Sequence, residues 1–141
     1  MSEVQHSIRV LRSKGYKVTL PRKQVLNVLA RARGPVSPYD IQRILREEGQ
    51  HLNHVTIYRV LSLLCLLNLA HKPMLTGGFV KCTLGDKEGC HRFMVCRHCG
   101  GLQEFADKAL CEEENEIAQD LGFHTERHFS EFFGVCSNCQ R

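Results

Sequence analysis

The sequence predicts an α+β protein in two parts, a basic helical part followed by a smaller mixed part stapled by metal. Three observations carry that prediction. Apolar residues recur at helical spacing as far as Asn68 and then give way to short extended runs. Two thiol pairs, Cys96-x2-Cys99 and Cys136-x2-Cys139, can together supply the four soft ligands of a closed tetrahedral zinc site. The 36 residues between the pairs exceed a usual ribbon loop, so a folded segment must lie between the two knuckles.

The third observation is charge. Residues 1–82 hold 13 Lys+Arg against 4 Asp+Glu, a net +9, whereas residues 83–141 hold 6 against 11, a net −5. A basic half suits a polyanion, because each phosphate it neutralises releases condensed counterions. The acidic half suits folding, dimerisation or metal binding instead. The bland alternative for the basic half is a solvated surface.

With 141 residues and 43% hydrophobic content there is room for one ordinary domain or two small packed ones. Eight cysteines could signal a secreted disulfide scaffold, but no charged-then-apolar leader opens the chain and no apolar run approaches membrane-spanning length. The expectation is a reducing cytoplasm.

Taken in order, Val4, Ile8 and Leu11 define an amphipathic helix ending near Gly15. Pro21 sits where a second helix begins, with Val25, Leu26, Val28 and Leu29 buried before Gly34-Pro35. Ser37-Pro38 opens a third, since the serine oxygen caps free amides and proline fits the first turn; Ile41, Ile44 and Leu45 face inward and Gly49 closes it. The fourth runs from about Asn53 to Asn68, with Val55, Leu61, Leu64 and Cys65 buried. Leu69–Leu75 and Phe79–Leu84 then flank Thr76-Gly77-Gly78 as a hairpin.

Helices followed by such a hairpin make a winged helix, in which the last helix enters the major groove. Arg59 is then the candidate base reader, and Thr56 and Tyr58 the backbone contacts. The alternative is structural, with Tyr58 in the core and Arg59 solvated.

After Leu84 the polar Gly85-Asp86-Lys87-Glu88-Gly89 marks the boundary, giving a winged-helix DNA-binding domain over 1–84, a linker over 85–90 and a zinc-binding dimerisation domain over 91–141. Phe93–Cys96 and Leu102–Phe105 read as strands around the first knuckle. Asp107 caps a helix through Leu121 that Gly122 ends, and Phe123–Val135 reads as extended.

A second metal site is expected at the boundary. With a two-residue Thr76-Gly77 turn, His71 would face Cys82 across the hairpin, with Cβ atoms roughly 5 Å apart; a Gly77-Gly78 turn loses that register. His91 and Glu104 flank the first knuckle and complete a mixed N/S/O set suited to zinc. Metal there would fix the angle between the two parts, which is a switch. Each ligand also has a plain reading: a surface wing histidine, a small buried thiol, a structural histidine and a solvated strand charge.

Several stretches, in this order, resemble the ferric uptake regulator family of bacterial metal-responsive repressors over nearly the whole chain. They are Leu20-Pro21-Arg22-Lys23-Gln24-Val25-Leu26, Val55-Thr56-Ile57-Tyr58-Arg59-Val60-Leu61, Cys96-x2-Cys99-Gly100, His128-x2-Glu131 and Cys136-x2-Cys139. The resemblance implies a winged helix, an α+β dimerisation domain, a structural zinc on four cysteines and a regulatory metal at the hinge. It further implies a homodimer that binds a palindromic operator and blocks transcription.

By the same resemblance Tyr39 joins Arg59 as a base contact, and Arg22 adds to the DNA-binding set. Iron and peroxide sensors of the family carry a histidine-rich run before the first knuckle, where this chain has Cys90-His91-Arg92-Phe93-Met94-Val95; a peroxide sensor would also have aspartate in place of Glu104. The zinc uptake regulator branch, pairing a wing histidine with a returning-strand cysteine, is the nearer match, and thiolate softness agrees.

The family's further C-terminal site corresponds to Cys90, Cys111 and His128, with Arg92 in place of an acidic ligand. These residues are a third zinc site or a core or redox-active thiol pair.

The leading expectation is therefore a zinc-dependent repressor of zinc uptake genes with about two zinc ions per chain and a third possible. The alternative is an iron- or redox-responsive regulator of the same family. A zinc-ribbon interaction module without metal sensing is a further contender. An enzyme is not expected: no His-Glu-x2-His occurs, and the His-x-Glu at His124-Thr125-Glu126 precedes Cys136-x2-Cys139 with Val135 where a deaminase has proline.

Overall fold

A computed structural model describes residues 3–85, 89–126 and 128–141, with side chains from residue 4. The chain divides into two compact units, Met1–Gly85 and Asp86–Arg141. Residues 86–88, the middle of the expected linker, lie outside the described residues.

The first unit opens with α1 (Glu3–Ser13) and α2 (Leu20–Arg31). Thr19 caps α2, its hydroxyl accepting from the Arg22 amide, and Pro21 stands in the first turn. In α3 (Pro38–Glu47) a reciprocal capping box forms: Ser37 Oγ accepts from the Asp40 amide at 3.0 Å, and the Asp40 carboxylate accepts from the Ser37 amide at 2.9 Å. Asn53 caps α4 (His54–Leu66) by accepting from the Thr56 amide at 2.8 Å.

Leu11, Val25, Leu26, Ile41, Leu45, Ile57, Leu61 and Leu64 from these four helices are essentially inaccessible and form one core. Fully burying each such side chain contributes about 1.5–3 kcal/mol. One expected core residue is not in it. Val55 is 56% exposed, because the stripe Ile57, Val60, Leu61 and Leu64 sets the inward direction and Val55 lies about 200° from Ile57 around the helix.

The hairpin consists of β1 (Ala70–His71) and β2 (Val80–Lys81), antiparallel with His71 opposite Val80 and Ala70 opposite Lys81. Both expected turns place the tip elsewhere. The strands separate after His71 because Pro73, which has no amide hydrogen for a ladder, is buried there, and because Phe79 pairs with Val36 instead of across the hairpin. Gly78 permits this pairing. It has φ +66°, and a Cβ at that position would lie 3.0 Å from the Pro35 Cβ and 3.1 Å from the Val36 nitrogen.

In the second unit β3 (His91–Cys96) is central, antiparallel to β4 (Leu102–Ala106) and parallel to β5 (Glu131–Gly134). Between β4 and β5 runs α5 (Lys108–Asp120), capped by Asp107, whose carboxylate accepts from the Leu110 amide at 3.0 Å. Of the long run expected to be extended, only Glu131–Gly134 is strand among the described residues. No side chain of α5 is buried, and Leu121, Phe123, Phe129 and Phe133 are well exposed. No described helix is long and apolar enough to cross a membrane.

Candidate metal centres and nucleic-acid interface

Parallel pairing of β3 with β5 sets Cys96 against Gly134, which puts the knuckle that follows β3 beside the one that follows β5. The Sγ atoms of Cys96, Cys99, Cys136 and Cys139 all lie within 4.8 Å of one another. Cys99 and Cys136 are 3.8 Å apart, and zinc–sulfur bonds of about 2.3 Å require a tetrahedron edge of about 3.8 Å. Amides point at the sulfurs: Cys136 N–H donates to Cys96 Sγ and Gly101 N–H to Cys99 Sγ, each at 3.3 Å.

The amide hydrogens of Cys136 and then Cys99 pull the Cys96 thiol down to about 5, whereas hydrogen bonding with Cys136 pushes Cys139 up to about 12. Four packed thiols resist joint ionisation, and a divalent cation among them removes that resistance. The donor set therefore fits zinc.

A second cluster in this unit joins Cys90, before β3, Cys111 on α5 and His128, whose donor atoms also lie within 4.8 Å of one another. Cys90 and Cys111 are bonded as a disulfide with Cα atoms 6.0 Å apart. His128 Nε2 lies 3.3 Å from Cys111 Sγ and also contacts Cys90 Sγ. Reduced, the pair offers two soft donors beside an imidazole; oxidised, it offers no thiolate. Arg92, expected near this cluster, is 2% exposed and ion-paired with Glu114 of α5, so its charge is neutralised within the unit.

The boundary residues form one pair in each unit. Cys82 donates its amide to the Leu69 carbonyl at 3.0 Å, continuing the ladder, so Cys82 opposes Leu69 and not His71. Its alternation nevertheless keeps Cys82 on the same face as His71, diagonally placed. This corrects the direct opposition expected from a two-residue turn. In the second unit His91 Nδ1 is 2.9 Å from Glu104 Oε2. That approaches the separation of about 3.3 Å between neighbouring nitrogen and oxygen ligands of one zinc.

The candidate DNA-facing residues all belong to the first unit. Tyr39, on the first turn of α3, is 67% exposed. Thr56, Tyr58 and Arg59 lie on the first two turns of α4. Tyr58 is half exposed and packs edge-on at 6.4 Å against Phe79, a core residue just before β2, so it covers the edge of the core without itself being buried. Arg22 is partly committed locally, donating to the Lys17 carbonyl at 2.6 Å with its guanidinium over the Tyr16 ring.

The model of the ferric uptake regulator family matches residues 13–133. The chain belongs to the ferric uptake regulator family. Its members are metal-responsive, DNA-binding transcription regulators, not enzymes. A ferric uptake regulation protein of Legionella pneumophila is 31% identical over 131 residues, covering 92% of this chain and 96% of that protein. Among solved structures, a zinc uptake regulator complexed with zinc and DNA aligns with TM-score 0.87 at 25% identity, covering 97% of this chain and 92% of that one. The holo form of XcZur aligns with the same score at 27% identity, over 97% and 96%. The relatives matched by sequence carry iron names, whereas the solved structures include both zinc- and iron-named regulators, with the two zinc-named ones above aligning at the higher score.

Two features of this family member escaped the sequence. The Tyr39 ring stacks on His54 with centroids 4.2 Å apart, although the residues are 15 positions apart and on different helices. The Arg92–Glu114 pair joins β3 to α5. Only the third dimension brings either pair together.

Proposed function

We propose that the protein is a zinc-dependent transcriptional repressor, a cytoplasmic homodimer that binds a palindromic operator and controls zinc uptake genes. The DNA-binding domain is residues 1–84, the linker 85–90 and the dimerisation domain 91–141. Cys96, Cys99, Cys136 and Cys139 hold a structural zinc. His71, Cys82, His91 and Glu104 take the regulatory zinc, giving about two zinc ions per chain.

The observation that carries zinc over iron is Cys82. A thiolate on the same wing face as His71 makes a donor set softer than the nitrogen and oxygen ligands that hold ferrous iron. The His91–Glu104 pair at 2.9 Å supplies the remaining nitrogen and oxygen. The likeness to a zinc- and DNA-bound zinc uptake regulator supports the same reading. Zinc filling the four ligands would join the units and hold the two winged helices of a dimer at operator spacing, while low zinc would release DNA. On the DNA side Arg59 and Tyr39 read bases, and Thr56, Tyr58 and Arg22 contact the backbone.

The direct test is operator selection from a random duplex library with reduced full-length protein at buffered free zinc or ferrous iron. Zinc is expected to promote binding and Cys82→Ser to abolish the response. Promotion by ferrous iron and not by zinc would overturn the assignment. Arg59→Ala is expected to lose about 1–3 kcal/mol of specific binding, and unaltered affinity would remove its reading role.

A second reading rests on the Cys90–Cys111 bond beside His128. Here a hydroperoxide takes two electrons and two protons from the thiols, giving the disulfide, an alcohol and water, and oxidation removes two of three donors for a third zinc. Its test is DNA binding before and after peroxide, with Cys111→Ser as the insensitive control.

A further inference from the structure

Resting on the operator-binding reading, we propose that His54 is a positioning residue for sequence recognition: its imidazole stacks on Tyr39 and presets the pose in which that ring meets a base edge. Tyr39 leaves α3 at its first turn and is 67% exposed, the setting in which a side chain samples several rotamers. His54 starts α4, and the rings lie 4.2 Å apart with an interplanar angle of 27°. The rings are nearly parallel, and their separation is slightly shorter than the roughly 4.5–7 Å usual for aromatic pairs, so they are in direct face contact.

The platform beneath each ring is rigid. The Ser37–Asp40 capping box fixes the start of α3, and Asn53 fixes the start of α4. Gln42 of α3 donates to the Leu52 carbonyl at 3.1 Å, tying the connection before α4 to α3 itself. The stack therefore closes a small framework spanning two helices and holds the exposed Tyr39 ring within it.

Locking matters because an exposed tyrosine that must be ordered on binding costs side-chain entropy, and a ring already held in place does not. A tyrosine presents an apolar face suited to a thymine methyl and a hydroxyl suited to a base-edge donor or acceptor. His54 thus acts through Tyr39 on base discrimination and not on phosphate binding.

The test uses zinc-loaded full-length protein, a randomised duplex library sequenced after selection, and the variants His54→Ala, His54→Phe and Tyr39→Ala. Wild type is expected to enrich a palindromic sequence. His54→Ala should weaken the preference by about 2- to 10-fold at the same base-pair positions that Tyr39→Ala affects, the span matching the contribution of one stacked aromatic pair. The salt dependence of binding should stay as in wild type, because no phosphate contact is lost.

His54→Phe keeps the stack and should restore the preference. In the same proteins the Tyr39 ring protons should be shifted upfield in wild type and His54→Phe, and not in His54→Ala. Unchanged base preference in His54→Ala, or a His54→Phe protein that behaves like it, overturns the role of the stack alone. A wild-type protein that enriches no sequence overturns the operator reading and this role together.

Discussion

The two units reach a fold by opposite means. In the first, side chains from all four helices, among them Leu11, Val25, Ile41 and Leu61, are all but removed from water, and every helix start from α2 to α4 carries its own cap. In the second, α5 buries nothing, the inaccessible apolar residues reduce to Phe93, Val95, Cys96 and Ala106, and four phenylalanines stay exposed. So small an apolar core needs a staple and a partner surface, which the four cysteines and the exposed aromatics can provide. One unit carries its own packed core, whereas the other has little core of its own and depends on the proposed zinc ligation and on association for its stability.

The sharpest way to break this contrast is at the knuckles. Apparent zinc affinity in zinc-finger peptides is about 10–16 kcal/mol, far above any single packing contact. Cys139→Ser is expected to lose the tight zinc and the amide protection of β3, β4 and β5, while α1–α4 stay protected. Hydrogen exchange followed by mass spectrometry reads both at once, and protection retained in the second unit would contradict the staple.

The corresponding change in the first unit is smaller. Leu61→Ala should cost about 2–5 kcal/mol in urea unfolding, with zinc content unchanged. Loss of zinc along with the core would show that the units do not fold by separate means. Smaller still, Ser37→Ala removes one member of the capping box and should cost about 1 kcal/mol. A change below a few tenths would mean that the box is not carrying the start of α3.

The least effect concerns pH. The Ser37 amide first and its hydroxyl second hold the Asp40 carboxyl below its ordinary value of 3.8, against an opposing effect of burial, and Arg43 adds a lesser downward pull. A depressed folded value means that the stabilisation is present above 3.8 and is lost as pH falls through the lower, folded value. Asp40→Asn should therefore flatten the stability–pH curve in the acid range and leave it unchanged near neutrality. An equal acid sensitivity in the variant would remove Asp40 from the account.

What could be read from sequence divides differently, between local chemistry present in both units and contacts made only by the fold. Ser37-Pro38, Asn53 and Asp107 announced their helices because caps are local chemistry between residues three apart. The two Cys-x2-Cys knuckles were likewise visible as spacing. The hairpin register was not, because the Phe79–Val36 bridge and buried Pro73 decide it, and one of those partners lies 43 positions upstream. Val55 misled because valine in an apolar run says nothing about direction around the helix. His54 showed no signal at all, since its partner Tyr39 is brought to it by the α3–α4 turn.

The measurement that tests the central claim most directly is zinc per chain before and after mild chelation, with binding to the selected duplex followed on the same samples. A tight staple beside a labile switch predicts loss of about one zinc per chain together with loss of DNA binding, and recovery of both on adding zinc back. DNA binding that persists with only the tightly held zinc would contradict the zinc switch at His71, Cys82, His91 and Glu104.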